Sequence, residues 1–144
     1  MARPATRPIS SKAALASFAE MGHVAGIAIA QAAQLMDGIV VIGGGISASA
    51  KFFMPALLEE MRGTVKTLSG DVLQRVQMKV YNLDDEAEFE QFARGEAREL
   101  KIYGTDKTVT YDPQKRIGIT IDKIGTSTAI SVGAYDFALD QLDH

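Results

Sequence analysis

The sequence predicts an α/β fold, and two observations carry that prediction. Residues 39–47 read Ile-Val-Val-Ile-Gly-Gly-Gly-Ile-Ser, so a short apolar run leads straight into three glycines. An alanine-rich helical pattern precedes this segment, and a second helical pattern follows it. Unbroken β-branched runs are typical of buried strands in parallel sheets, and glycines at the carboxyl end let the backbone approach a bulky polar group. Because ligands of open α/β sheets bind beyond the strand ends, this loop is the first candidate site.

The composition of the chain limits which classes of protein, partner and metal site are possible. The chain has 144 residues, of which 47% are hydrophobic and 23% charged, as in an ordinary globular domain. A net charge of −3 without clustered Lys and Arg argues against a nucleic-acid partner. The absence of cysteine excludes disulfides and thiolate metal sites and fits the cytoplasm. We expect no metal site, since His23 and His144 lie far apart, and no membrane partner, since no apolar run reaches about 18 residues.

The first helix is predicted over residues 12–36, with Ser10 or Ser11 as its N-cap. Small residues, among them Gly22 and Gly26, make one side of this helix narrow. Two interpretations stay open: the narrow side packs closely against another helix or a sheet, or the two glycines clear space for a ligand. Gly38 is expected to end the helix.

The strand then covers residues 39–42 and the glycine loop residues 43–47. In the second helix we expect Pro55 to lie in the first turn, where a missing N–H matters little. A further short helix is predicted over 65–76. The buried side of the second helix is predicted to consist of Phe52, Phe53, Leu57, Leu58 and Met61.

The second half of the chain reads as strand, helix, strands and helix. A strand is predicted at 78–81 and an acidic helix at 84–95 with Phe89 and Phe92 facing inward. Alternating runs at 99–103, 108–111 and 117–121 predict an antiparallel meander. Ser127 or Thr128 is expected to cap the last helix. The core stripe of that helix is predicted to consist of Ile130, Ala134, Phe137, Ala138 and Leu142.

No catalytic residue is predicted. The glycine loop is neither a P-loop nor a full G-x-G-x-x-G fingerprint, so it either donates backbone N–H groups to a phosphate or nucleobase or forms a tight turn without a ligand. The cluster of carboxylates is expected to be a solvated helix face, because general-base work needs a carboxylate held in a cleft. That cluster comprises Asp84, Asp85, Glu86, Glu88 and Glu90.

Residues 39–47, preceded by a small-residue helix and followed by Phe53-Met-Pro-Ala-Leu57, resemble the C-terminal lobe of ROK sugar kinases (repressor, open reading frame, kinase), and most of all the glucokinase-like branch. The segment 125–139, with its Gly133-Ala134 pair, is similar to the last helix of that family. The resemblance covers about residues 14–142. It implies part of an actin-like, ribonuclease-H-like ATPase fold at 12–144, with an added β-meander insertion at about 83–124. Independently of the resemblance, the pairs Arg3-Pro4 and Arg7-Pro8 predict a flexible arm at 1–11.

The same resemblance implies a nucleotide site. Gly43, Gly44 and Gly45 would lie against ATP, which the parent enzyme uses with Mg²⁺, and Ile46 and Ser47 would open the helix beside it. The family's Asp-x-Gly-Gly-Thr phosphate loop, its Gly-Thr-Gly loop, its Asn-Asp catalytic pair and its zinc ligands do not occur in this sequence. We therefore expect a segment of a glucose-type kinase that is inactive alone, and whether this segment still binds ATP is left open.

The alternative is a non-catalytic assembly module derived from the same fold. The strand at 39–42 would lack its family neighbours and so have an open edge, and such edges pair with other chains. A homo-oligomer is therefore expected.

Overall fold

The structure, a computed structural model, describes residues 11–142. Ser10, His144 and nearly all of the arm predicted at 1–11 lie outside the described residues. Two compact units make up the described chain: residues 11–35 with 51–76, and residues 36–50 with 77–142. A 3-10 helix at Gly45–Ser49 lies between the first strand and the second helix. The elements in chain order are α1 (Ser11–Ala33), β1 (Val40–Ile42), α2 (Ala50–Arg62), β2 (Thr64–Lys66), β3 (Val72–Gln74), β4 (Lys79–Asn82), α3 (Glu86–Arg94), β5 (Arg98–Lys101), β6 (Thr108–Tyr111), β7 (Arg116–Ile121) and α4 (Thr126–Asp140).

In the first unit, α1 packs closely on α2 through its small residues. Gly22 and Gly26 are buried. A Cβ atom at Gly26 would lie 2.7 Å from the carbonyl oxygen of Leu57, and one at Gly22 would overlap the carbonyl oxygen of Phe53. Only hydrogen fits between these helix backbones, so the packing interpretation of the two glycines is confirmed.

By length and composition alone α1 could cross a membrane, which corrects the expectation that no segment is long and apolar enough. A single helix of this kind near the N-terminus is weak evidence for a membrane span, because core helices of soluble proteins and signal sequences have the same length and apolar composition. Its backbone contact with α2 fits a helix that packs against protein.

Three local predictions for the helices of this unit are wrong. The first helix ends at Ala33, so Gly38 does not end it. Pro55 is the sixth residue of α2 and not in its first turn, because the helix already begins at Ala50. Phe52 is partly exposed and lies against Phe18, with ring centroids 5.6 Å apart, while Phe53 is buried.

The helix predicted at 65–76 is instead the antiparallel hairpin of β2 and β3, in which Val65 pairs with Leu73. The spacing of the apolar residues fits both structures, and the turn decides between them. Gly70 adopts a φ of 92°, which glycine reaches without steric penalty, and its N–H donates to the Thr67 carbonyl at 3.0 Å. A chain reversal at that position is incompatible with a continuous helix.

The second unit contains a parallel sheet in the order β1-β7-β4. Val40 of β1 pairs with Ile119, and Val80 of β4 pairs with Ile117. The parallel direction of the strand predicted at 39–42 is thus confirmed, but its burial is wrong: Val41 is 60% exposed. Among the described strands β1 pairs only with β7, so it has the open edge that we expected.

The predicted three-stranded meander is wrong for its third strand, residues 117–121. β5 and β6 form an antiparallel hairpin, but β7 is the centre of the parallel sheet. Ile117, Gly118 and Ile119 are consecutive and all buried, so both faces of β7 are covered. Such burial is typical of central parallel strands, and it replaces the one-sided alternation that a meander requires.

Three further predictions about the helices of this unit need correction. The ring of Phe92 contacts Tyr81 at a centroid distance of 5.7 Å, whereas Phe89 is exposed. The residue before α4 is Gly125 with a φ of 83°, and neither Ser127 nor Thr128 caps the helix. No residue of α4 is buried, so the predicted core stripe is an exposed apolar surface in the described chain.

Candidate functional site

An open cleft of about 480 Å³ lies at the carboxyl ends of β1 and β7, beside the amino end of α4. In α/β sheets, the region beyond the carboxyl ends of the strands is the usual ligand site. The lining is mainly apolar. It consists of Val41, Gly43, Gly44, Thr120, Ile121, Asp122, Lys123, Ile124, Thr126, Ala129 and Ile130.

Of the five residues predicted for the site, Gly43 and Gly44 line the cleft. Gly44 needs to be glycine because its φ is 89°, a conformation that residues with a Cβ atom rarely adopt. Gly45, Ile46 and Ser47 are the first three residues of the 3-10 helix that follows the loop, and they are not among the lining residues. The Ser47 hydroxyl donates to the Gly44 carbonyl at 2.6 Å, which fixes the turn into that helix.

Two residues that the sequence analysis missed shape the site: Thr126 bonds to the glycine loop, and Asp122 fixes the turn before α4. The Gly44 N–H donates to Oγ1 of Thr126 at 2.7 Å, so the loop after β1 is tied to the start of α4. Asp122 accepts hydrogen bonds from the N–H groups of Ile124, at 3.0 Å, and Gly125, at 3.1 Å. The available signal was an Asx-turn pattern before a helix, Asp-Lys-Ile-Gly-Thr, but it pointed to the loop only once β7 was known to lie beside β1.

Asp84, which we expected to be a solvated charge, is held by three donors next to the cleft. Its carboxylate accepts from the Thr120 hydroxyl at 2.9 Å and from the Ile121 N–H at 3.1 Å. It also pairs with the Lys123 ammonium at 2.8 Å. Partial burial raises the pKa of Asp84, but the hydrogen bonds from Lys123, Thr120 and Ile121 outweigh it, and the pKa lies below its usual 3.8.

The chemistry of the cleft is mainly that of its apolar side chains. Val41, Ile121 and Ile130 supply apolar wall, and polar groups are few, as in many small-molecule sites. Lys123 is the one cation among the lining residues, and Asp84 already pairs with it. Within residues 11–142, no group of three or more His, Asp or Glu side chains could hold a metal ion. The lining therefore offers mainly apolar contact and a single cation that is already paired.

Comparison with known proteins gives one informative match. No protein-family model matches the chain, and no curated protein matches it either. Among solved structures, a glucokinase from Parabacteroides distasonis is similar, with 47% identity and a TM-score of 0.78. The match covers 93% of this chain and 36% of the glucokinase chain, so this chain spans about a third of the relative's length. The resemblance found in the sequence is therefore confirmed, because nearly the whole chain is similar to a portion of a glucokinase, which is a ROK-type sugar kinase. The shares of the two chains that match are consistent with a C-terminal segment of such a protein.

Proposed function

We propose that this chain forms the adenine-nucleotide side of an ATP-dependent kinase that acts on glucose or a similar hexose. One observation carries the proposal: Gly43 and Gly44 open onto a cleft at the strand ends, in a chain that is 47% identical to part of a glucokinase. In this proposal the nucleotide base lies between the glycine loop and the apolar residues of α4. The finer fold assignment, an actin-like ATPase lobe with an insertion, is part of the same proposal.

In this proposal the residues that line the cleft would bind the base mainly through close packing and not through charge. The glycine backbone allows close approach, and a Cβ atom at Gly45 would meet no atom within 4 Å, so the space beside the loop is open. Val41 and Ile130 would cover the two sides of a planar base. Ile46 and Ser47 would begin the helix beside it. When bound in the parent enzyme, ATP with Mg²⁺ supplies the phosphoryl group.

Phosphoryl transfer itself needs more than these residues. It depends on cations that neutralise the phosphates and on a base that orients the acceptor hydroxyl. Lys123 is committed to Asp84, and the sequence contains neither the phosphate loops nor the Asn-Asp pair of the family. We therefore expect that the purified 144-residue chain does not phosphorylate glucose. Turnover above background in a coupled assay with ATP, Mg²⁺ and glucose would contradict this part of the proposal.

Nucleotide binding is best tested with two variants of α4. Ile130 lines the cleft and is 66% exposed, while Val132 is 57% exposed on the same helix and does not line it. Ile130→Glu should weaken binding of ATP·Mg²⁺ roughly tenfold or more in isothermal titration calorimetry, since one lost apolar contact and one added negative charge are each worth about 1 kcal/mol. Val132→Glu should leave binding unchanged. We prefer these two positions to a substitution at Gly44, because any side chain at Gly44 would also strain its backbone.

The calorimetry also separates the two candidate functions. Saturable binding that only Ile130→Glu weakens would support the nucleotide site. No heat at millimolar nucleotide would contradict it and would favour the non-catalytic assembly module.

The remaining proposals concern surroundings and assembly. We propose a cytoplasmic protein that binds no nucleic acid, in line with its negative charge and lack of cysteine. We also propose that it has no membrane partner, and the support for this is the close packing of α1 on the backbone of α2. The open edge of β1 supports a homo-oligomer. A strictly monomeric elution profile at micromolar concentration would contradict the oligomer.

A further inference from the structure

The hairpin of β5 and β6 is an exposed ribbon with two chemically different faces. All eight residues of its strands are exposed. In the observed register Leu100 lies opposite Val109, and Glu99 lies opposite Thr110. Side chains alternate along a strand, so Leu100, Ile102, Val109 and Tyr111 share one face and Glu99, Lys101, Thr108 and Thr110 share the other.

A ribbon of this kind has too few neighbouring strands to be stable by itself. Two-stranded hairpins are marginally stable in water, and three or more strands with an apolar face are needed for independent stability. Within the described part of the chain, β5 pairs with β6 alone, so its outer edge is open. The apolar face, with Leu100 39% and Val109 46% exposed, is only half covered.

The backbone of β5 has two residues ready to pair on that open edge. The Ile102 N–H donates to the Lys107 carbonyl at 2.9 Å, so residue 102 faces β6. Because hydrogen-bonding direction alternates along an antiparallel ladder, residues 98 and 100 also face β6, whereas Glu99 and Lys101 direct their N–H and C=O groups outward.

The geometry points to a second copy of this chain as the partner, paired β5 to β5 about a two-fold axis through Leu100. An antiparallel pair centred on Leu100 places Glu99 of each copy opposite Lys101 of the other. The same register matches the two outward-facing residues of each strand with each other, as hydrogen-bonded pairs require. Within one chain Glu99 accepts a hydrogen bond from the Thr110 hydroxyl at 2.7 Å and Lys101 pairs with Asp106 at 3.1 Å. Both side chains are exposed, so the second carboxylate oxygen and the remaining ammonium protons can still meet a partner across the axis. Opposite charges directly across a ladder stabilise it, and the two-fold axis makes the favourable pair occur twice.

Charge also excludes the neighbouring registers. Centring the pair on Glu99 places two carboxylates opposite each other, and centring it on Lys101 places two ammonium groups opposite each other. Like charges at such positions are destabilising. A centre between two residues would match an outward-facing backbone with an inward-facing one. The outer edge of β6 presents only Thr108 and Thr110 and has no such selectivity.

The resulting assembly is a four-stranded sheet in the order β6-β5-β5-β6. Its apolar face joins the two Leu100 and two Val109 side chains in one row. This inference stands on the hairpin alone and is independent of the nucleotide site. It also differs from pairing through the open edge of β1, because only the hairpin contains Glu99 and Lys101.

Charge reversal in the full chain tests the proposed register. Glu99→Lys or Lys101→Glu alone converts both opposite-charge pairs into like-charge pairs and should weaken dimerisation roughly tenfold or more in sedimentation velocity. The double variant, with both substitutions, restores opposite charges and should restore the dimer. Rescue by the double variant also shows that a single variant has not simply misfolded. A strictly monomeric wild-type chain, or a dimer that no reversal weakens, would overturn the proposal.

Cross-linking tests the position of the two-fold axis. The chain has no cysteine, so a single introduced one can only pair with its own copy. Across the axis the two residues at position 100 would have Cα atoms about 4.5 Å apart, within disulfide range, so Leu100→Cys should form a disulfide-linked dimer on oxidation. Val109→Cys lies on the same face, but its copies would be three strand spacings apart, roughly 14 Å, and should not cross-link. Equal cross-linking of both variants, or of neither, would overturn the proposed axis.

Discussion

Replacing Gly22 by alanine tests the close contact between α1 and α2. A Cβ atom there would overlap the carbonyl oxygen of Phe53 and lie 3.1 Å from Cβ of Ala56 and 3.2 Å from the Leu57 nitrogen. Two of these atoms belong to the backbone of α2, so the overlap is relieved only if the helices move apart. Overpacking of this kind destabilises a protein by about 1–3 kcal/mol.

Gly133 provides the matched control. It also lies inside a helix, but a Cβ atom there would meet nothing within 4 Å. In an exposed helix, alanine is more favourable than glycine by about 0.8–1.0 kcal/mol. This propensity gain is common to both variants, so the difference between them isolates the overlap. Gly133→Ala should be about 1 kcal/mol more stable than wild type, and Gly22→Ala should fall about 1–3 kcal/mol below Gly133→Ala.

Urea unfolding followed by far-ultraviolet circular dichroism measures both free energies. Gly26→Ala should behave like Gly22→Ala, since its Cβ atom would lie 2.7 Å from the Leu57 carbonyl oxygen. If Gly22→Ala were as stabilising as Gly133→Ala, the two helices would not be in contact at this point. That result would refute the packing interpretation of the small-residue face.

Two further predictions concern the cleft. Thr126→Val removes the acceptor of the Gly44 N–H, so it should lower the free energy of unfolding by about 0.5–1.5 kcal/mol, whereas Thr126→Ser should retain the bond and the stability. Asp84 has a lowered pKa, so its contribution to stability is present above its usual value of 3.8 and is lost as the pH falls through the pKa of the folded state. Asp84→Asn should therefore show a smaller loss of stability than wild type between neutral and acidic pH in urea titrations, and an identical pH profile would contradict the role of its hydrogen bonds.

Local patterns predicted most helices and failed where two structures fit the same spacing. Val65, Leu68, Val72 and Val76 recur every three or four residues, as in a helix, yet the segment is a hairpin. The deciding feature is Gly70, whose φ of 92° reverses the chain. Such a turn is visible in the sequence only as a glycine, and glycine also occurs inside helices here, as at Gly22.

The position of β7 could not be inferred from its neighbours in sequence. Residues 117–121 alternate well enough to continue the hairpin before them, but the strand pairs with β1, so that Val40 lies beside Ile119. Parallel pairing requires a long crossover, and nothing local specifies which distant strand is the partner. The missing pairing also hid the site, because Thr126 approaches Gly44 only when β7 lies beside β1.

The sequence by itself determined the apolar run, the three glycines after it and the narrow side of α1, because each depends on the size and backbone freedom of single residues. It was also sufficient for the resemblance to a sugar kinase. Only the tertiary structure decided what these features meet. Gly22 contacts the backbone of α2, and the Gly44 N–H donates to a threonine 82 positions away. Contacts of this kind depend on how distant segments pack within a unit, so the residues of one segment alone do not predict them.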